Sequence, residues 1–218
     1  EYYPDKSPKA RYGLLENEFH GEFVEWHANG TLKNRYNYRQ GDFEDLQQEY
    51  HKNERLKAQG TYKDNRKNGV YEEWFADGKP ALHIIYDQGL KIGTALTWHA
   101  NGQKKTESFY QNDLLEGPYQ EWYNDGTIKT KAEFSKNIQH GIRREWYENG
   151  SLALSANYLQ GTIDAIEEKF YPSGKQQSLS QYHEGKPDGE LILWHENGSL
   201  HEKRHYAQGL PQGEHLVY

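Results

Sequence analysis

The sequence predicts an all-β fold: tandem 24-residue β-hairpin repeats forming one elongated, twisted antiparallel meander, solenoid-like in kind. Three observations predict it. Aromatic and glycine residues recur at an unbroken 24-residue spacing. Asn-Gly or Asp-Gly pairs recur at the middle of the repeating units, and that dipeptide between aromatic-rich runs is a strong hairpin signal. The flanking runs are short and lack the 3.6-residue apolar period of a helix.

The repeat comes first, because a constant period gives every unit the same geometry and stacks it only on its neighbours. Units start at Gly21, Asp45, Gly69, Gly93, Gly117, Gly141, Ala165 and Gly189, with a further start at Gly213. Five residues after each start lies a tryptophan slot: Trp26, Tyr50, Trp74, Trp98, Trp122, Trp146, Phe170, Trp194 and Tyr218. All 6 tryptophans of the chain fall there. Nine residues after the start lies a second glycine slot, filled by Glu54 in one unit. Seventeen residues after the start lies a tyrosine slot: Tyr38, Tyr62, Tyr86, Tyr110, Phe134, Tyr158, Tyr182 and Tyr206. The chain therefore divides into a partial N-terminal unit or cap at 1–20, eight hairpin repeats at 21–212 and a partial unit at 213–218, with no linker and no second domain. Tyr2 and Leu14 continue the register backwards, and Pro4 and Pro8 suit a segment that caps a sheet edge.

Within a repeat, a three-residue loop built on a type I turn and closed by a left-handed Gly places Trp26 opposite Leu32 and Glu25 opposite Lys33. Trp122 then meets Ile128, Glu121 meets Lys129, and Trp146 meets Leu152. Strand alternation puts Trp26, Leu32 and Tyr38 on one face, which is expected to be the inner one, and cross-strand ion pairs on the other. Exposed pairs of this kind set register more than stability. A second Gly-containing turn, such as the one around Gly89, leads from each hairpin to the next. Units 45–68 and 165–188 depart from the pattern. Asp45, Glu54 and Ala165 stand where glycine is expected, at a cost of around 1 kcal/mol or more if φ is positive. Phe170 replaces a tryptophan. Drift in a redundant array, a bend or a partner-specific surface would each account for these units.

Composition fits a thin structure with a small core of rings. Hydrophobic residues make up only 34% of the chain, yet 14% are aromatic, with 18 Tyr and 21 Gly. Mean hydropathy is −1.16, a polarity usually seen in disordered chains, which are poor in aromatics. There is no cysteine, so thiol chemistry, thiolate metal sites and disulfides are excluded. A net charge of −7 argues against nucleic acid as a partner and disfavours anionic membrane surfaces. No stretch approaches the apolar length of a membrane-spanning helix. The chain opens at Glu1 without Met, which fits a processed form or an expressed fragment; if a signal or lipid-anchor segment was removed, a periplasmic or envelope location is favoured over a cytoplasmic one.

Candidate chemistry is sparse. Glu25, Glu49, Glu73, Glu121 and Glu145 share a slot, but neighbouring copies stand two strands apart, roughly 9.6 Å, in like surroundings, whereas a catalytic pair needs unlike ones. His27, His51, His99 and His195 share the slot after the tryptophan and are too far apart to converge on one metal. His195, His201 and His205 form the only local histidine cluster. No Gly-x-Ser-x-Gly elbow and no Gly-rich phosphate loop occurs. No catalytic residue, metal ligand or cofactor is assigned. The candidate binding surface is a row opposite the tryptophans: Phe23, Glu25 and His27; Tyr71, Glu73 and Phe75; Tyr119, Glu121 and Tyr123; then Tyr147 and Tyr171. Aromatics among carboxylates suit a protein-binding patch. The same row could instead close into a second small core.

The spacing of Gly21, Trp26, Asn29, Gly30, Tyr38 and Gly41 (Gly-x4-Trp-x2-Asn-Gly-x7-Tyr-x2-Gly) resembles the MORN-variant repeat, the type found in bacterial YwqK-family antitoxins. The resemblance covers almost the whole chain. It implies a non-catalytic binding scaffold that neutralises a protein partner, a toxin or effector, as an antitoxin or immunity protein. The chain lacks the regular Tyr-x-Gly and His-Gly-x-Gly segments of the first-described MORN repeats, whose proposed phospholipid binding makes peripheral lipid association the second reading. A hydrolytic or glycan-active enzyme is the third, and the sequence offers no unlike carboxylate pair for it.

Overall fold

The computed structural model describes residues 1–218. It contains twenty strands and no helix, and every strand pairing is antiparallel. The all-β hairpin-repeat fold is therefore the one observed. The chain forms two compact units, Glu1–Lys104 with Tyr110–Asp113, and Lys105–Phe109 with Leu114–Tyr218.

The first unit is a run of hairpins through β1 (Ala10–Leu15), β2 (Glu18–Trp26), β3 (Leu32–Arg39), the short β4 (Asp42–Phe43), β5 (Asp45–Tyr50), β6 (Leu56–Lys63), β7 (Arg66–Trp74), β8 (Pro80–Asp87) and β9 (Leu90–Trp98). The second contains residues 105–109 of β10 (Lys104–Gln111), then β11 (Leu114–Leu115), β12 (Gly117–Trp122), β13 (Ile128–Ser135), β14 (Ile138–Trp146), β15 (Leu152–Leu159), β16 (Thr162–Phe170), β17 (Gln176–His183), β18 (Lys186–Trp194), β19 (Leu200–Ala207) and β20 (Leu210–Val217). Each repeat start lies within a strand, so the 24-residue period maps onto one hairpin plus one connecting turn.

Two turn types alternate. At the tip of β2–β3 the His27 N–H donates to the Thr31 carbonyl at 2.8 Å, and the Gly30 N–H donates to the His27 carbonyl at 2.8 Å. Gly30 has φ 84, the left-handed conformation that a three-residue loop needs at its third position. Phe75 with Lys79, Tyr123 with Thr127 and Tyr147 with Ser151 repeat this geometry. The connecting turn has two successive residues at positive φ, as in Gln40 (φ 48) and Gly41 (φ 82), or Lys136 (φ 50) and Asn137 (φ 68). That is the signature of a two-residue type I′ loop. These turns are themselves laddered, with Asn65 N–H donating to the Phe43 carbonyl at 3.1 Å and Asn137 N–H donating to the Leu115 carbonyl at 2.9 Å.

The hairpin register confirms one expected pairing and corrects another. Trp26 pairs with Leu32, Trp122 with Ile128 and Trp146 with Leu152, as expected. Glu25, however, pairs with Asn34, because a β-bulge falls between Glu25 and Trp26. Lys33 is the extra residue. The bulge shifts the alternation of β3 by one. Tyr36 and Tyr38 then share a face with their partners Phe23 and Gly21, and Trp26 and Leu32 take the other. The expected grouping of Trp26, Leu32 and Tyr38 on one face does not occur.

The core mostly follows the tyrosines; Val24, buried on the tryptophan face, is an exception. Ala58, Ile84, Ala95 and Gln47 are buried in the first unit, and Thr130, Ala132, Ala156, Glu167, Ser178 and Ser180 in the second. Register places these residues on the tyrosine face: Ile84 opposite Tyr71, Ala132 opposite Tyr119, and Ala156 opposite both Arg143 and Glu167. The tryptophans are only partly buried, and no large side chain is fully buried anywhere. The load-carrying face is thus a floor of small residues beneath rings, and the tryptophan face is the more open one.

Candidate binding face

The predicted row separates into two kinds of residue. Phe23, Tyr71 and Tyr119, with Glu25, Glu73 and Glu121, lie on the tyrosine face. His27, Phe75, Tyr123, Tyr147 and Tyr171 sit one residue past the tryptophan slot, at the mouth of each hairpin loop. The Tyr123 hydroxyl donates to the Trp146 carbonyl at 2.7 Å, Tyr147 donates to the Phe170 carbonyl at 2.8 Å, and Tyr171 donates to the Trp194 carbonyl at 2.9 Å. In the first unit Tyr3 donates to the Trp26 carbonyl at 2.8 Å, and His51 Nε2 stands 2.9 Å from the Trp74 carbonyl. A carbonyl only accepts, so that His51 proton sits on Nε2. His27 makes a longer version, 3.4 Å to the Tyr50 carbonyl. Phe75 has no polar tip and makes no such bond. Each of these side chains ties one repeat to the backbone of the next. The sequence shows only that His, Tyr and Phe share the slot, which reads as a surface row; the acceptor is backbone and leaves no trace there.

The remaining residues build a layer of rings. In the first unit, neighbouring ring centroids among Tyr12, Phe19, Phe23, Tyr36, Tyr38 and Phe43 lie between 4.8 and 6.1 Å apart. Tyr62 joins through Phe43 at 5.5 Å, and Tyr71 meets Tyr86 edge-on at 6.3 Å. Offset and edge contacts of this kind are each worth about 0.5–1.5 kcal/mol beyond area burial. In the second unit, Tyr119 meets Phe134 edge-on at 6.0 Å. The ring layer therefore is the packed face of a single sheet, and its outer side stays partly exposed because no second layer covers it.

Carboxylates and cations are set among the rings. Glu25 accepts from Lys33 Nζ and from Asn34 Nδ2, both at 2.7 Å, so the two residues of the bulge share one acceptor. Glu121 accepts from Lys129 at 2.8 Å, and that bond raises the Lys129 pKa. Glu73 accepts from the Tyr71 hydroxyl at 2.9 Å. Burial first, then the neighbouring carboxylates Glu49 and Glu73, push the Tyr36 and Tyr71 hydroxyls well above the ordinary tyrosine range. Both therefore stay protonated and can donate. Lys67 Nζ stands 3.3 Å from the centre of the Tyr71 ring, and burial lowers its pKa.

Of the histidine cluster, the His195 and His201 rings lie tilted to each other by 37° with centroids 4.3 Å apart. His205 pairs in register with Glu190 and Gln212, and no third ligating side chain joins the His195–His201 pair. The glycine-slot departures all keep the backbone of the glycines they replace, with φ 61 at Asp45, 66 at Glu54 and 74 at Ala165.

Five stretches of the chain match the MORN repeat variant: residues 19–40, 91–112, 115–136, 139–160 and 187–208. Together they cover half of the chain. Each begins two residues before a repeat start, and no match begins at the repeats that start at Asp45, Gly69 and Ala165. Comparison with curated proteins finds no match.

Proposed function

Because this chain belongs to the MORN repeat variant family, we propose that it is a non-catalytic repeat scaffold that binds a partner protein, and that it neutralises a toxin or effector in the manner of an antitoxin or immunity protein. The observation that carries this reading is the partly exposed ring layer of the first unit, which runs from Tyr12 through Phe43 to Tyr62. Interfaces favour tyrosine and phenylalanine at their centres, where rigid rings bury much area at little entropic cost. The carboxylates Glu25, Glu49 and Glu73 border those rings, and the net charge of −7 suits a basic partner. Anionic lipid is a poorer match to the same charge.

Affinity capture of the tagged chain from its host's lysate, followed by mass spectrometry, tests the reading. One stoichiometric partner is expected, with its activity suppressed in proportion to added chain. Capture should be lost with Tyr36→Ser and kept with Tyr206→Ser. A folded bait that elutes alone, or a partner whose activity the chain leaves unchanged, overturns the neutraliser role.

A further inference from the structure

We propose that the ring layer of the first unit contains a socket for one arginine side chain, set between Tyr36, Phe43, Tyr62 and Tyr71 with Glu49 at its acidic wall; the proposal rests on the partner-protein reading and supplies the chemistry by which that partner is recognised. The cavity there has a volume of about 70 Å³ and is lined by these rings, by Glu49 and by Gly60.

The sequence opens this space at one position. A Cβ on residue 60 would lie 2.6 Å from Tyr71 Cδ2, so Gly60 is what lets the Tyr71 ring lie down over the sheet. The same slot holds Ile84, Ser108, Ala132, Ala156 and Ser180 in other repeats, all of which carry a Cβ. The socket is thus a feature of one repeat and not of the period.

The rings favour a cation, because their faces carry the negative end of the aromatic quadrupole. The chain itself uses this preference next door. Two residues before a repeat start stand Lys67, with Nζ 3.3 Å from the Tyr71 ring centre and 5.1 Å from that of Tyr86, and Lys91, with Nζ 5.2 Å from that of Tyr110. In the repeat of the cavity that position is Phe43. The ring column is continued there with a ring in place of an ammonium, so on the Phe43 and Tyr36 side an incoming cation would meet rings, while Lys67 holds the Tyr71 side.

Arginine fits better than lysine. A planar guanidinium stacks on ring faces, is more weakly hydrated than an ammonium and forks onto a carboxylate. Glu49 accepts from Lys57 at 2.9 Å and from the Tyr36 hydroxyl at 3.4 Å. A carboxylate has about four lone-pair sites, which leaves room for a further donor pair.

The test is an NMR titration of the full chain with isotope-labelled tyrosine, using N-acetyl-arginine-methylamide as probe and the neutral N-acetyl-citrulline-methylamide as control. Saturable shifts are expected at Tyr36, Tyr62 and Tyr71, while Tyr158 and Tyr182 stay in place. The citrulline probe should bind at least about tenfold more weakly, the factor set by 1.4 kcal/mol of charge recognition. Glu49→Gln should weaken the arginine probe, and Gly60→Ala should close the socket with Tyr158 and Tyr182 resonances unchanged. Absence of a saturable shift, equal binding of citrulline, or equal shifts in the second unit overturns the socket. If the probe fails while capture yields a neutralised partner, the socket falls and the partner reading stands; if the probe binds while capture fails, the partner reading falls by itself.

Discussion

Tyr123 is tied to Trp146, one repeat further along the chain, by a hydroxyl that donates to the tryptophan's backbone carbonyl at 2.7 Å. The bond recurs at Tyr147 and Tyr171, and a histidine replaces the tyrosine at His51. Since a repeat of this kind contacts only its neighbours, such a tie acts directly on the interface between repeats. A net hydrogen bond is worth about 1 kcal/mol. Tyr123→Phe and Tyr147→Phe should each lower stability by about that amount, read as a lower urea midpoint at unchanged slope. Phe75→Tyr should raise it, by giving the Trp98 carbonyl the donor that equivalent carbonyls have. A midpoint unmoved in all these variants would show that the ties form without stabilising.

Ala165 occupies a glycine slot at φ 74 and Glu54 does so at φ 66. An L-residue in that region is strained by roughly 1–2 kcal/mol, against which glycine's greater unfolded-state freedom counts for about 0.5–1 kcal/mol. Ala165→Gly and Glu54→Gly should therefore stabilise the chain by about 0.5–1 kcal/mol each. At Gly21 (φ 79) an added Cβ would meet nothing within 4 Å, so Gly21→Ala isolates the backbone cost from any clash. It should destabilise by a similar amount. A gain from Gly21→Ala would refute the strain argument.

The strength of the spacing as a guide explains both what was legible in the sequence and what was not. A 24-residue period states that all repeats share one geometry, and the Asn-Gly pairs locate its loop, so the hairpin fold and the Trp26–Leu32 pairing could be read directly. A period does not state which face is which. That depended on one bulge, at Lys33 and Asn34, two polar residues that read equally well with or without it. Moving the alternation by one carried Tyr38 from the tryptophan face to that of Phe23. The candidate row was legible as a set of positions, since Phe23, Tyr71 and Tyr119 do share a slot and a face. Its division was not, because the bonds that occupy Tyr123, Tyr147 and Tyr171 end on backbone carbonyls.

Tyr36 and Tyr71 tie stability to alkaline pH. Burial and the nearby carboxylates raise both pKa values in the folded chain above the ordinary value near 10. An acid with a raised folded pKa holds its proton longer folded than unfolded. Its contribution is whole below the unfolded pKa and is lost as pH rises past that value towards the folded one. Unfolding free energy should therefore be flat on this account below pH 9 or so and fall from about pH 10 upward. Tyr36→Phe and Tyr71→Phe should flatten the fall. Phenolate absorbance should show these two tyrosines ionising last, together with unfolding. Ionisation of all tyrosines near pH 10 in a chain that remains folded would contradict it.

The ion pairs Lys33–Glu25 and Lys129–Glu121 have short contacts, 2.7 and 2.8 Å, yet their lysine side chains are 41% and 43% exposed. Exposed pairs contribute about 0.2–1 kcal/mol and are screened by salt. They also need not set the register. If Glu25 were held opposite Lys33 by charge alone, the bulge would be absent; instead Glu25 takes both Lys33 and Asn34. The register is held at the loop, by the bonds between His27 and Thr31 and between Gly30 and His27, and at the other end by the type I′ turn. Lys129→Ala should therefore cost less than about 0.5 kcal/mol and keep the cross-strand NOE between Trp122 and Ile128. Gly126→Ala acts on the loop itself, where Gly126 has φ 89 and donates to the Tyr123 carbonyl at 3.0 Å. It should cost more, by about 1 kcal/mol, and broaden the same NOE. The reverse order of costs would place the register in the charges and the loop in a passive role.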